Sequence, residues 1–68
     1  MKTYTKQLKD VRVGDVVKGH AGGWLEITKI EREQRAGGLH LFMHGRDVDS
    51  GEFGPIYGDG HETRTLRR

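Results

Sequence analysis

The chain has 68 residues, with 12 Lys and Arg set against 10 Asp and Glu, for a net charge of +2 at neutral pH. It contains no cysteine, which excludes disulfides and thiolate metal sites and suits a reducing cytoplasm. A chain this short holds one small core, read here as a single domain over residues 1–68. Burial at roughly 25 cal/mol per Å² barely offsets the ordering entropy, so tight packing, histidine–metal binding or a partner subunit has to supply the rest. No apolar run is long enough for a signal peptide or a membrane span, so the expectation is a soluble, cytoplasmic protein.

Turn signals recur every eight to twelve residues, as in all-β sandwiches and barrels. Residues 4–8 read as a short entry strand with Tyr4 and Leu8 on one face. Val11 and Val13 follow in alternation, and Gly14-Asp15 turns the chain into a short strand at Val16-Val17. His20-Ala21-Gly22-Gly23 is a loop open to positive φ. Residues 24–33 are the longest strand candidate. Leu25 and Ile27 share a face and Ile30 falls out of step, so a bulge near Thr28-Lys29 is expected to return Ile30 to the core and bend the strand, as closure of a small barrel requires.

Residues 34–38, ending in Gly37-Gly38, read as a hairpin tip. Residues 39–44 alternate, with Leu39, Leu41 and Met43 on one face and His40, Phe42 and His44 on the other. Residues 45–55 read as the longest irregular stretch. Ile56-Tyr57 is a short apolar patch, Asp59-Gly60 a turn, and residues 61–66 a last strand. There Thr63 and Thr65 share one face and Glu62, Arg64 and Leu66 the other. The architecture expected is all-β: a small barrel of about five short, strongly bent antiparallel strands.

Val13-Gly14-Asp15-Val16-Val17, then Gly23-Trp24-Leu25-Glu26-Ile27, then Ile30 carry a family likeness over about half the chain. The pattern resembles the SH3-like small barrels, including their Tudor and KOW-type variants, in which a G-D-x-V strand opens the barrel and a second strand follows a variable loop. In size, composition and the style of this segment the chain also resembles short orphan proteins encoded by phages of high-GC bacteria. The first likeness implies a barrel; the second implies no activity.

The residues offer little catalytic chemistry. His20, His40, His44 and His61 are the histidines. His40 and His44 on one strand stand about 13 Å apart and cannot share an ion unaided. His61-Glu62-Thr63-Arg64-Thr65 lacks the second histidine and the helix of a zinc-protease motif. The acidic run Asp47-Val48-Asp49-Ser50-Gly51-Glu52 puts Glu52 where a calcium loop needs glycine. Ser50, the single serine, lies outside any nucleophile elbow. The expectation is a protein that is not an enzyme and has no cofactor and no metal site.

Binding surfaces are the stronger option. Trp24, His40, Phe42, His44, Phe53 and Tyr57 form the candidate protein-binding set. His-Phe-His lies opposite the core-facing Leu39, Leu41 and Met43, which suits a partner protein or a second copy of the chain. The alternative is nucleic-acid binding through Lys2, Lys6, Lys9, Arg64, Arg67 and Arg68, which form one basic face if residues near the two ends pair as neighbouring strands, with exposed aromatics as stacking platforms.

Overall fold

The computed structural model describes residues 2–20 and 22–68. It contains six strands: β1 (Thr3–Gln7), β2 (Val16–Lys18), β3 (Trp24–Arg35), β4 (Gly38–Asp47), β5 (Phe53–Asp59) and β6 (Thr63–Arg67), with one 3₁₀ turn at Leu8–Asp10. They make a single antiparallel sheet in the order β1-β6-β2-β3-β4-β5. The sheet coils around Leu8, Val11, Val17, Leu25, Ile27, Leu41, Met43, Ile56 and Leu66. The all-β, SH3-like small barrel expected from the sequence is the fold, with six strands where about five were expected. Ala21, part of the glycine-rich loop expected between β2 and β3, lies outside the described residues.

The bend in β3 is where the hydrophobic pattern placed it. Ile27 pairs with Gly45 and Lys29 with His44, which leaves Thr28 as the extra residue. The Thr28 hydroxyl donates to the His44 carbonyl at 3.1 Å, so the bulge is stitched to the neighbouring strand. Beyond it the alternation resumes with Ile30 opposite Met43, and Met43 opposite Ile56. These three side chains form one inward row across the sheet. The β3–β4 hairpin continues past the core to a two-residue turn between Arg35 and Gly38. It contributes to a molecule 37 Å long and 19–22 Å across.

Val11 is buried as expected, but Val13 is 62% exposed and belongs to no strand. The reason is local. The Asp15 N–H donates to the Arg12 carbonyl at 3.0 Å and Gly14 has φ +97°, the signature of a type II turn with Val13 at its exposed corner. Asp15 closes the corner with its side chain: Oδ2 accepts from the Arg12 N–H at 3.0 Å and from Lys6 Nζ at 2.9 Å. The Gly-Asp pair read from the sequence is therefore a turn that docks β1 onto the start of β2.

Partial burial pushes the Asp15 carboxyl up, but the Arg12 N–H and the Lys6 ammonium outweigh it and hold it below the ordinary aspartate value. A carboxyl lowered in the folded state stabilises the fold above its unfolded pKa of about 3.9, and this contribution fades as pH falls through the lower folded value. Urea midpoints measured from neutral pH down to strongly acidic pH should therefore fall less steeply for Asp15→Asn than for wild type, with the Asn variant less stable at neutral pH. Parallel curves would show that Asp15 contributes no such linkage.

The stretch 45–55 was expected to be irregular. Instead β4 runs to Asp47, β5 begins at Phe53, and only residues 48–52 lie between them. The connection is held by Asp47, whose Oδ1 accepts from the Asp49 N–H at 2.8 Å and the Ser50 N–H at 3.0 Å. The Ser50 and Asp49 N–H groups hold the Asp47 carboxyl below its usual range. The acidic run is thus a tight turn organised by its first carboxylate.

At the other end, the Leu8 N–H bonds to the Glu62 carbonyl, the Lys9 N–H to the Gly60 carbonyl and the Gly60 N–H to the Leu39 carbonyl, at 2.8–3.0 Å. These bonds tie the 3₁₀ turn and the β5–β6 turn to β4 and put Leu8 beneath the core.

Candidate protein-binding face

Strand pleating sorts the side chains of β3, β4 and β5 into two sets. Inward rows run Ile30–Met43–Ile56 and Ile27–Gly45–Gly54. Outward rows run Glu31–Phe42–Tyr57, Lys29–His44–Pro55, Glu33–His40–Asp59 and Glu26–Arg46–Phe53. The His-Phe-His alternation of β4 therefore does face away from the core, and β5 adds Phe53, Pro55 and Tyr57 to the same surface.

Phe42 and Tyr57 are direct cross-strand neighbours. Their rings are 5.9 Å apart between centroids and 10° from parallel. His44 packs its ring edge-on to Phe42 at 5.1 Å. His20, from the loop after β2, reaches Tyr57 at 5.9 Å. Phe42 is 38% exposed, Tyr57 50% and Phe53 74%. A shallow groove lined by Phe42, His44, Phe53, Gly54 and Pro55 runs across the face. A second groove, of about 280 Å³, lies between the β2–β3 loop and β5 and is lined in part by His20, Leu25, Phe53, Pro55 and Tyr57.

Five of the six residues in the protein-binding set therefore share one surface. His40 sits at its far edge, in register with Glu33 and Asp59. Trp24 stands apart: it is half-buried, pairs with Lys18, and carries the Arg67 guanidinium 5.4 Å above its ring. His20 had no sequence signal for this role, because its place beside Tyr57 depends on how the β2–β3 loop folds over β5.

The charges around the face are mixed. His44 Nε2 lies 3.3 Å from Glu31 Oε2, and Lys29 Nζ 3.8 Å from Glu31 Oε1. Arg35 pairs with Glu33 at 3.1 Å and holds the Glu33 carboxyl low. Among the described residues no three His, Asp or Glu side chains gather as a metal site. Ser50 Oγ accepts from the Glu52 N–H at 3.2 Å.

The basic residues near the two ends do meet as backbone, since β1 pairs with β6 and Lys6 lies opposite Arg64. Their side chains divide between faces. Lys6 and Arg64 lie on the side of Tyr4 and Leu66, Lys6 paired with Asp15 and Arg64 with Glu62. Arg64 Nη2 also donates to the Tyr57 carbonyl at 3.1 Å, capping part of the edge of β5. Arg67 faces outward over Trp24, and Arg68 lies 4.9 Å over the Tyr4 ring. Lys2 and Lys9 are exposed.

No family model matches the chain, and no curated protein is similar to it in sequence. Solved structures are similar in shape. A translation initiation factor eIF-5A family protein from Naegleria fowleri superposes with a TM-score of 0.86 at 16% identity, over 97% of this chain and 47% of that one. Eukaryotic translation initiation factor 5A from Methanococcus jannaschii gives 0.84 at 17% identity, over 94% of this chain and 49% of that one. The chain spans about half the length of each, and what it shares with them at these identities is the barrel fold.

Proposed function

We propose that the protein is a non-catalytic binding module that engages a protein partner, which includes a second copy of itself, through the outer face of β4 and β5. The observation that carries this reading is the exposed, stacked Phe42–Tyr57 pair continued by His44 and Phe53. A fold this small has little apolar area to spare, and rings left on the surface in one patch gain most by being covered. Aromatic rings are also the usual anchors of protein interfaces. Glu31, Glu33 and Asp59 stand among these rings and offset Lys29 and Arg46, which disfavours a polyanion here and suits a protein surface of mixed charge.

Further support comes from the barrel's occurrence as about half of longer solved chains, an arrangement suited to a module. No helix among the described residues is long and apolar enough to cross a membrane, and the proposed setting is the cytoplasm. The resemblance to phage orphan proteins has no counterpart among the similar structures and carries no weight in this reading.

The test is the double variant Phe42→Ala/Tyr57→Ala. Both rings lie outside the core, so the thermal transition should shift little. Partner binding should fall by a hundredfold or more, on the order of 3 kcal/mol for two anchor residues. Sedimentation velocity reads self-association, and affinity retrieval beside a Lys18→Ala control reads a different partner. A wild-type monomer whose retrieved proteins are unchanged by the double variant would refute the proposal.

A further inference from the structure

Four cations from four separate segments converge under the long hairpin. Lys6 comes from β1, Lys9 from the 3₁₀ turn, Arg12 from the type II turn, and Arg32 from the core-facing side of β3, in register with Leu41. With Asp10 and the buried Val11 they line a cleft of about 530 Å³. Lys6 is neutralised by Asp15. Lys9, Arg12 and Arg32 are exposed, and among the described residues none of them has a carboxylate within ion-pairing distance. Of the six charged groups gathered here only Asp10 and Asp15 are acidic, so the cleft keeps a cationic excess, on the opposite side of the hairpin from the aromatic face.

We infer that this cleft binds the phosphate backbone of a single-stranded nucleic acid, a site distinct from the aromatic face and independent of the reading above. Three cations held apart on a turn, a 3₁₀ segment and a strand match a chain of phosphates better than a single small anion, which one or two would satisfy. Guanidinium groups such as Arg12 and Arg32 clasp phosphate oxygens in pairs, and Lys9 adds a point charge. No aromatic side chain lines the cleft to stack a base, so the contact proposed is with the backbone and does not depend on sequence.

Fluorescence anisotropy of the whole chain with labelled oligothymidylate and oligoadenylate tests this. Three phosphate contacts give a slope of about −2 in log affinity against log salt. Binding should weaken roughly tenfold to twentyfold between about 50 and 200 mM salt, equally for both oligonucleotides. Arg12→Ala/Arg32→Ala removes two contacts, so the slope should fall to about −0.7 and the low-salt affinity should drop at least tenfold. Both arginines are exposed, so circular dichroism should show the fold intact. Absence of binding at low salt overturns the inference, as does an unchanged slope in the double variant. Displacement of the oligonucleotide by millimolar inorganic phosphate would also overturn it, by showing a small-anion site. So would loss of binding in Phe42→Ala/Tyr57→Ala with Arg12→Ala/Arg32→Ala unaffected.

Discussion

Met43→Ala should abolish the cooperative thermal transition or bring it close to room temperature. Met43 is fully buried and sits in the middle of the inward row between Ile30 and Ile56, where large apolar side chains of the bent β3, β4 and β5 meet. Truncating a buried methionine costs about 2–5 kcal/mol, and the exact figure depends on how far the walls can close. The neighbours here are strands in a continuous ladder, which leaves them little freedom to collapse. A domain of this length has only about 3–10 kcal/mol to lose. Each kcal/mol moves the melting temperature of so small a domain by about 4–8 °C. Differential scanning calorimetry reads the result, and a shift of less than about 5 °C would place the stabilising core elsewhere.

Gly45→Ala should also destabilise the fold markedly, although it adds only a methyl group. A Cβ at this buried position would lie 2.8 Å from Leu25 Cβ and 3.4 Å from the Glu26 carbonyl oxygen. Leu25 leans across the sheet here: its side chain also lies 3.2 Å from where a Cβ would stand on Gly19 and 3.7 Å from that on Gly54. The bare backbone of β4 is what lets β3 cross so closely beside its bulge. Leu25 Cβ is fixed to the strand and cannot swing aside, so the methyl group must push the two strands apart, an overpacking cost of about 1–3 kcal/mol. Gly54→Ala, with its Cβ at ordinary van der Waals distance, should cost much less, and Gly37→Ala at the open hairpin turn should cost least. Chemical denaturation of the three variants checks the ranking; equal midpoints would remove the close-crossing explanation.

The same glycines explain which parts of the fold the sequence discloses. The bulge in β3 was legible because Leu25, Ile27 and Ile30 break a strict alternation in the one way that a single extra residue repairs. The outward aim of His40, Phe42 and His44 followed from the same alternation in β4. Residues 45–55 were not legible as strand ends, since Gly45, Gly54 and Pro55 are poor strand formers in isolation. Only Leu25, twenty residues earlier, supplies the reason for glycine at 45. Val13 was misplaced because its apolar side chain argued for a strand while the following Gly-Asp fixed a turn.

The sites divide in the same manner. Phe42 and Tyr57 lie on strands whose faces are fixed by period-two patterning, so the sequence could nominate both, but their stacking depends on the β4–β5 register. The meeting of Lys9, Arg12 and Arg32 had no local signal. It requires the bent β3 to bring Arg32 back over segments twenty residues away along the chain. The basic residues near the ends looked like one patch because pairing of β1 with β6 brings their backbones together. Pleating then sends Lys6 and Arg64 to one side and Arg67 to the other.

The claim that the outer β4–β5 face is the partner surface is tested most directly by site-specific photo-crosslinking. A benzophenone side chain replaces Tyr57 in one protein and Thr65, on the outer side of β6, in another. Cross-linked product, to a second copy or to a captured protein, should form from position 57 and not from position 65, and should diminish when Phe42→Ala is added. Product from position 65 alone, or equally from both positions, would contradict the assignment.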